Sequence, residues 1–228
     1  MSHDETELFD RLRQGAGQLW THYVDHPFVR GLADGTLPQA AFRRYLTQDY
    51  LFLIHFVRAT ALAGYKSASL EDLHAAAAGM TALLAEMRLH VTYCAKWGLS
   101  EPEMAAELEA VETVAYTRFV LDRGTAGDLL DLHVALAPCV LGYAEIGTAL
   151  EHHATAGNRY APWITSYAGD EYQQAARAAK TTLARVGARS GADARFSDLQ
   201  ANFDLAVRLE TAFWDMGWRA GLSSNDAQ

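Results

Sequence analysis

Apolar positions recur along nearly the whole chain with the three-and-four step of an amphipathic helix. No stretch alternates convincingly as a half-buried strand, and no Asn-Gly or Asp-Gly pair links two β-rich runs. The pattern predicts a first helix over about Glu5 to Tyr23, stopping near Asp25-His26-Pro27. The turn Asp34 to Pro38 then launches a second helix with Pro38 in its first turn, where a missing N–H costs little. Gly64 and Lys66 to Ser69 end it, and an alanine-rich helix follows from Leu70 to Trp97, closed by Gly98. Ser100 with Glu103 reads as a capping box for a helix running to about Asp122, which the segment Arg123 to Asp128 breaks. A helix over Leu129 to His153, a loop over Thr155 to Pro162, a short helix over Trp163 to Tyr167 and a longer one to Ala188 come next. Ala188 to Arg195 is the most linker-like stretch; Ser197 with Gln200 is placed to cap a last helix ending near Gly221. With no repeat and no break in composition, the expectation is one all-α domain, residues 1–228, of about seven or eight helices.

Composition narrows the partners more than the fold. Half of the 228 residues are hydrophobic and 21% are charged, as in an ordinary globular chain. A net charge of -9 argues against nucleic acid and anionic lipid as partners, since both call for a basic face. The sequence reading finds no apolar run approaching a membrane span, and an acidic, polar N-terminus unlike a secretory signal. Two cysteines, Cys94 and Cys139, form neither a disulfide framework nor a zinc spacing. A cytoplasmic protein is the expectation.

Three of the predicted helices carry one ionisable group in the middle of an apolar face. Phe42, Tyr45, Asp49, Phe52 and Phe56 share one face, with the acid at its centre. Leu132, Leu136, Cys139, Tyr143, Ile146 and Leu150 share another, centred on a thiol; Phe203, Val207, Glu210, Trp214 and Gly217 share a third, centred on a carboxyl. A cysteine in such a place is ordinarily a small buried hydrophobe. An ionised carboxylate in an apolar interior is costly unless it is paired. Structural pairing or capping explains one such acid; two acids and a thiol, each amid aromatics, point toward a pocket at the centre of a bundle. Periodicity alone does not bring them together.

Six segments add a resemblance: His26 to Tyr50, Glu86 to His90, Ala115 to Thr117, Ala135 to Gly147, Tyr160 to Tyr172 and Leu209 to Arg219. In this order they resemble the TenA family, the thiaminase II enzymes of thiamin salvage. The resemblance implies a haem-oxygenase-like helical bundle that binds no haem, needs no cofactor or metal, and assembles as a homotetramer. It implies Cys139 as nucleophile, Asp49 as the acid that binds the pyrimidine and Glu210 as acid/base, with Tyr116, Tyr143 and Tyr167 lining the pocket. Phe52 departs: a well-known form of the family has tyrosine there, so the ring is kept and the hydroxyl lost.

The chemistry implied is release of 4-amino-5-hydroxymethyl-2-methylpyrimidine from its 5-aminomethyl counterpart, or from thiamin. A thiolate adds to the ring, the leaving group departs from the C5 methylene, water replaces it and the thiolate leaves. Other readings stay open. A di-metal bundle needs two Glu-x-x-His motifs, and only Glu71 with His74 fits. A haem oxygenase is possible by fold. A regulatory or non-catalytic aminopyrimidine-binding protein on the same fold is the more serious rival.

Overall fold

The computed structural model describes residues 7–225, so Glu5 and Thr6 of the expected first helix lie outside the described residues. Every regular element among the described residues is helical. The predicted first helix is two, α1 (Glu7–Ala16) and α2 (Gln18–Val24), parted by Gly17 at φ 50°, which side chains larger than hydrogen rarely tolerate. A helix absent from the expectation follows, α3 (Pro27–Asp34). Its start uses an unusual cap: the His26 Nδ1 accepts the Phe28 N–H at 3.1 Å, with Pro27 in the first turn. Nε2 therefore carries the proton and donates to the Asp215 carboxylate at 3.1 Å, tying this turn to the last helix.

The central pair of the bundle is α4 (Gln39–Lys66) and, at the other end of the chain, α12 (Phe196–Asn225). Pro38 is the N-cap of α4, one step before the expected first turn. α5 (Leu70–Ala95) packs along α4 and stops two residues short of Trp97. The capping box at Ser100 and Glu103 is present but opens only the short α6 (Glu101–Ala106). The predicted helix to Asp122 is thus interrupted, and α7 (Val111–Ala126) outlasts its expected end.

The helix expected over Leu129 to His153 is α8 (Leu129–Ala137), a single π-helical turn (Pro138–Gly142), α9 (Tyr143–Leu150) and a closing 3₁₀ turn. Pro138 has no N–H to give to the preceding turn, so the ladder loosens around it. Contrary to expectation, this span is long and apolar enough to cross a bilayer, with an 18-residue window of mean hydropathy 1.5, but 78% of that window is buried inside the bundle. α10 (Ala161–Ala168) and α11 (Asp170–Arg189) follow closely as expected. The expected cap at Ser197 and Gln200 is not made: a 3₁₀ turn (Ala192–Arg195) runs straight into α12, and the Gln200 amide donates instead to Leu12 O at 3.0 Å.

One continuous core fills the space between these helices. Trp214 of α12 lies at its centre, stacked on Phe28 at 4.9 Å between ring centroids and close to Tyr45 at 5.3 Å and Tyr143 at 5.2 Å. Gly147 permits the close approach of α9 and α10, since a Cβ there would lie 2.5 Å from the Tyr167 carbonyl carbon.

Candidate active site

Asp49, Cys139 and Glu210 come from α4, the π turn and α12, and all three line one cavity of about 440 Å³. Phe52, Tyr116, Tyr143 and Tyr167 line it too, so every site residue expected from the sequence is brought to one place. The cavity adds Glu86, Tyr172 and Phe213 to this end, none of them marked by the spacing of apolar positions.

Among the described residues Asp49 has no cation for a partner. Its Oδ2 lies 3.5 Å from the Tyr45 hydroxyl and 3.5 Å from His90 Nδ1. The other ring nitrogen of His90 is 3.0 Å from Leu46 O, a carbonyl that can only accept, so Nε2 carries the hydrogen. Burial holds the imidazole neutral by lowering its pKa, and Nδ1 therefore faces Asp49 as a lone pair. Burial pushes the Asp49 carboxyl up to about 7, against a small opposing pull from Tyr45. A carboxyl near that balance can present one donor and one acceptor side by side. That is the complement of a ring nitrogen next to an exocyclic amine.

Cys139 owes its position to the π turn. Phenols brace carbonyls of this turn: Tyr172 donates to Val140 O at 3.2 Å, and Tyr23 to Pro138 O at 3.2 Å. Gly142 is required for the second contact, because a Cβ there would sit 2.3 Å from the Tyr23 ring. The thiol donates to Leu136 O at 3.1 Å. Burial, then the negative charge of Glu210, drives its pKa well above the ordinary thiol value, so the resting group is a thiol.

Tyr116 joins the thiol to the second acid. Its hydroxyl donates to Glu210 Oε1 at 2.9 Å, and it also acts on the Cys139 thiol, opposing the rise in that group's pKa. Burial raises the Glu210 pKa to about 8, with the Tyr116 bond opposing and the Asp49 charge adding to the rise. Glu86 is raised to about 7 by burial and then by the charges of Asp49 and Glu171. The aromatic wall is continuous: Tyr143 and Tyr167 are 5.0 Å apart, and Phe52 is 5.2 Å from Tyr116. The Trp163 indole donates to the Tyr45 hydroxyl at 3.2 Å, fixing a polar belt beside Asp49. The arrangement can grip a flat heterocycle, attack it with sulfur, and hand protons in and out on carboxyls poised near neutrality. Glu71 and His74, the one Glu-x-x-His pair, are exposed on α5 and away from this site, with Glu71 paired to Arg185 at 3.2 Å.

An all-helical bundle with such a cavity is the heme oxygenase-like fold. A domain of unknown function with that fold from Shewanella denitrificans superposes with a TM-score of 0.71 at 15% identity, covering 92% of each chain. The chain belongs to the TENA/THI-4/PQQC family, whose profile matches residues 13–220. It is 35% identical to the aminopyrimidine aminohydrolase of Halalkalibacterium halodurans, over 91% of this chain and 93% of that one. A TenA family transcription regulator from Silicibacter sp. TM1040 superposes with a TM-score of 0.89 at 46% identity, covering 96% of this chain and 99% of that one.

Proposed function

We propose that this chain is a thiamin-salvage hydrolase of the aminopyrimidine aminohydrolase type, releasing the 5-hydroxymethylpyrimidine from its 5-aminomethyl precursor by covalent catalysis at Cys139. The observation that carries the reading is the convergence of one thiol and two unpaired buried carboxyls in a single aromatic-walled cavity. A structural role supplies no reason to leave both acids without cations, at a cost to stability.

Asp49 holds the ring by its nitrogen and amine edge, and its proton makes the ring electron-poor. Glu210, ionised, takes the thiol proton through Tyr116 as sulfur bonds to ring C6. The ring electrons then expel the amine from the methylene, and Glu210 returns the proton to it. Glu210 next takes a proton from water as the hydroxyl adds to the methylene. The C6–S bond breaks, the sulfur leaves as thiolate and recovers a proton, and the ring is aromatic again. Apolar walls keep bulk water from the adduct until the amine has gone.

Purified protein incubated with the 5-aminomethylpyrimidine releases ammonia and the hydroxymethyl product catalytically; stoichiometric binding without turnover refutes the hydrolase and leaves a binding protein. The same assay with thiamin ranks the two substrates by kcat/KM. We further propose a cytoplasmic homotetramer. Leu108 and Val111, 85% and 81% exposed beside the α6–α7 junction, are apolar surface for such an interface. Light scattering at micromolar concentration reads four chain masses, and a monodisperse monomer refutes the assembly.

A further inference from the structure

The cavity is larger than the chemistry asks for. A space of about 150 Å³ is enough for a benzene ring, and this one has about 440 Å³. It is also long. Its lining runs from Asp49 to Ala63 on α4 and from Glu86 to Asp72 on α5, each about 21 Å at 1.5 Å per residue, and from Tyr172 to Leu183 on α11, about 16 Å. The reactive groups occupy one end. Beyond them α5 and α11 face each other across a cleft lined mainly by small residues, Ala75, Ala78, Ala82, Ala175 and Ala178, with Leu83 and Leu183 as the larger apolar side chains from these helices. Small residues on two facing helices keep this space open.

Two observations mark the cleft as a ligand's path. At its near end Glu86 adds to the lining a carboxyl that the mechanism above does not use. At its far end the His133 imidazole lines the cavity with no hydrogen-bond partner among the described residues, and burial brings its pKa down to about 4, so it is neutral at physiological pH. The far end is closed electrostatically by Asp72 with Arg185 and Arg189, so the apolar channel stops there.

We propose that the cleft receives the leaving group, and that the substrates include aminomethylpyrimidines whose departing amine carries a long apolar N-substituent, its nitrogen at Glu86 and its chain along the alanine-lined walls of α5 and α11. This deepens the hydrolase reading and rests on it for the ring's position. The reaction is unchanged: the C–N bond to the methylene breaks, and Glu210 protonates a substituted amine in place of ammonia.

The test is an N-alkyl series on the 5-aminomethylpyrimidine (methyl, butyl, octyl), measured by calorimetric binding and by release of the hydroxymethyl product. Each buried methylene is expected to tighten binding roughly fourfold up to the length of the cleft. Ala179→Phe, which fills the cleft away from the reactive groups, is expected to cancel the gain for octyl and leave the unsubstituted parent within about twofold. Affinity that is flat or falls with chain length in the wild-type protein overturns the proposal, whether or not Ala179→Phe folds. So does an equal loss for parent and octyl in a folded Ala179→Phe protein. Length-dependent binding with no turnover of any member would sink the hydrolase and keep the cleft; turnover of the parent alone, with octyl excluded, would keep the hydrolase and sink the cleft.

Discussion

Asp49 and Asp72 are both buried, at 7% and 3% exposure, and both line the same cavity, yet they are held in opposite states. Burial pushes each upward. At Asp72 it is outweighed by the Ser69 hydroxyl and by Arg185 and Arg189, which bring the carboxyl down to about 2. At Asp49 a tyrosine hydroxyl at 3.5 Å is all that opposes it, and the carboxyl rises to about 7. Ser69 and Asp72 also open α5 as a cap, so Asp72 stabilises the fold as a permanent anion. Asp49 destabilises the fold and is poised to gain or lose a proton. Burial of an acid alone says nothing about function; the absence of a compensating cation does.

The contrast implies that effects on chemistry concentrate at the Asp49 end and effects on stability at the Asp72 end. The severest test is Cys139→Ala. It should lower product release by at least roughly 10³-fold with little change in Tm, as loss of a nucleophile does. Cys94, fully buried with its thiol pushed up to about 12, should tolerate Cys94→Ala with most activity kept. The reverse pattern would move the nucleophile and break the comparison.

Glu210→Gln comes next. It should lower kcat by roughly 10²- to 10⁴-fold while product binding holds. Its effect on stability has a definite sign. The folded carboxyl titrates at about 8, above its ordinary range, so the proton-bound form favours folding. That contribution is present in full below about pH 4.5 and is lost as pH rises through about 8. Glutamine does not titrate, so thermal scans should show the variant gaining on the wild type between pH 5 and pH 8, by roughly 5 to 15 °C. A gap that does not change with pH would mean that Glu210 is already ionised in the fold.

Asp49→Asn and Asp72→Asn should then cross. The first should cut kcat/KM and weaken binding of the hydroxymethylpyrimidine, with Tm unchanged or raised. The second should cost about 2 kcal/mol, because Arg185 and Arg189 lose a buried partner but are themselves partly exposed. That is a drop of roughly 4 to 8 °C for a chain of this size, with turnover at 25 °C kept. Equal loss of stability in both variants would erase the distinction.

Much of this was legible in the sequence because it is periodic. The long helices α4, α5, α11 and α12, and the three ionisable groups on apolar faces, follow from spacing. What was not legible came from tertiary contacts. Nothing near Glu107 to Ala110 announces a break, since no glycine or proline lies there. Gln48 makes it: its amide donates to Leu108 O at 3.0 Å and accepts from Ala110 N at 2.8 Å, replacing helical bonds from another element. α3 was hidden because His26 is an uncommon cap. Glu86 was hidden because α5 is small and apolar on several faces, so no stripe singled it out.

Phe52 gives the finest test, because it stands where the reactive end meets the cleft. Its ring lies 5.2 Å from Tyr116 and 6.0 Å from Phe213, and is 8% exposed, so it borders the reactive end of the cavity through packing alone. Phe52→Tyr places a hydroxyl among groups that already orient substrate and acid. A net hydrogen bond contributes about 0.5–1.5 kcal/mol, or roughly two- to tenfold in rate if it is made in the transition state. kcat/KM for the 5-aminomethylpyrimidine should therefore rise a few-fold, while Phe52→Ala, which removes the ring, should lower it much more. A fall with Phe52→Tyr in a correctly folded protein would mean that the hydroxyl is left unpaired. Phenylalanine would then be there to keep the passage toward the cleft apolar, and the boundary between the two ends would lie one helical turn closer to Asp49.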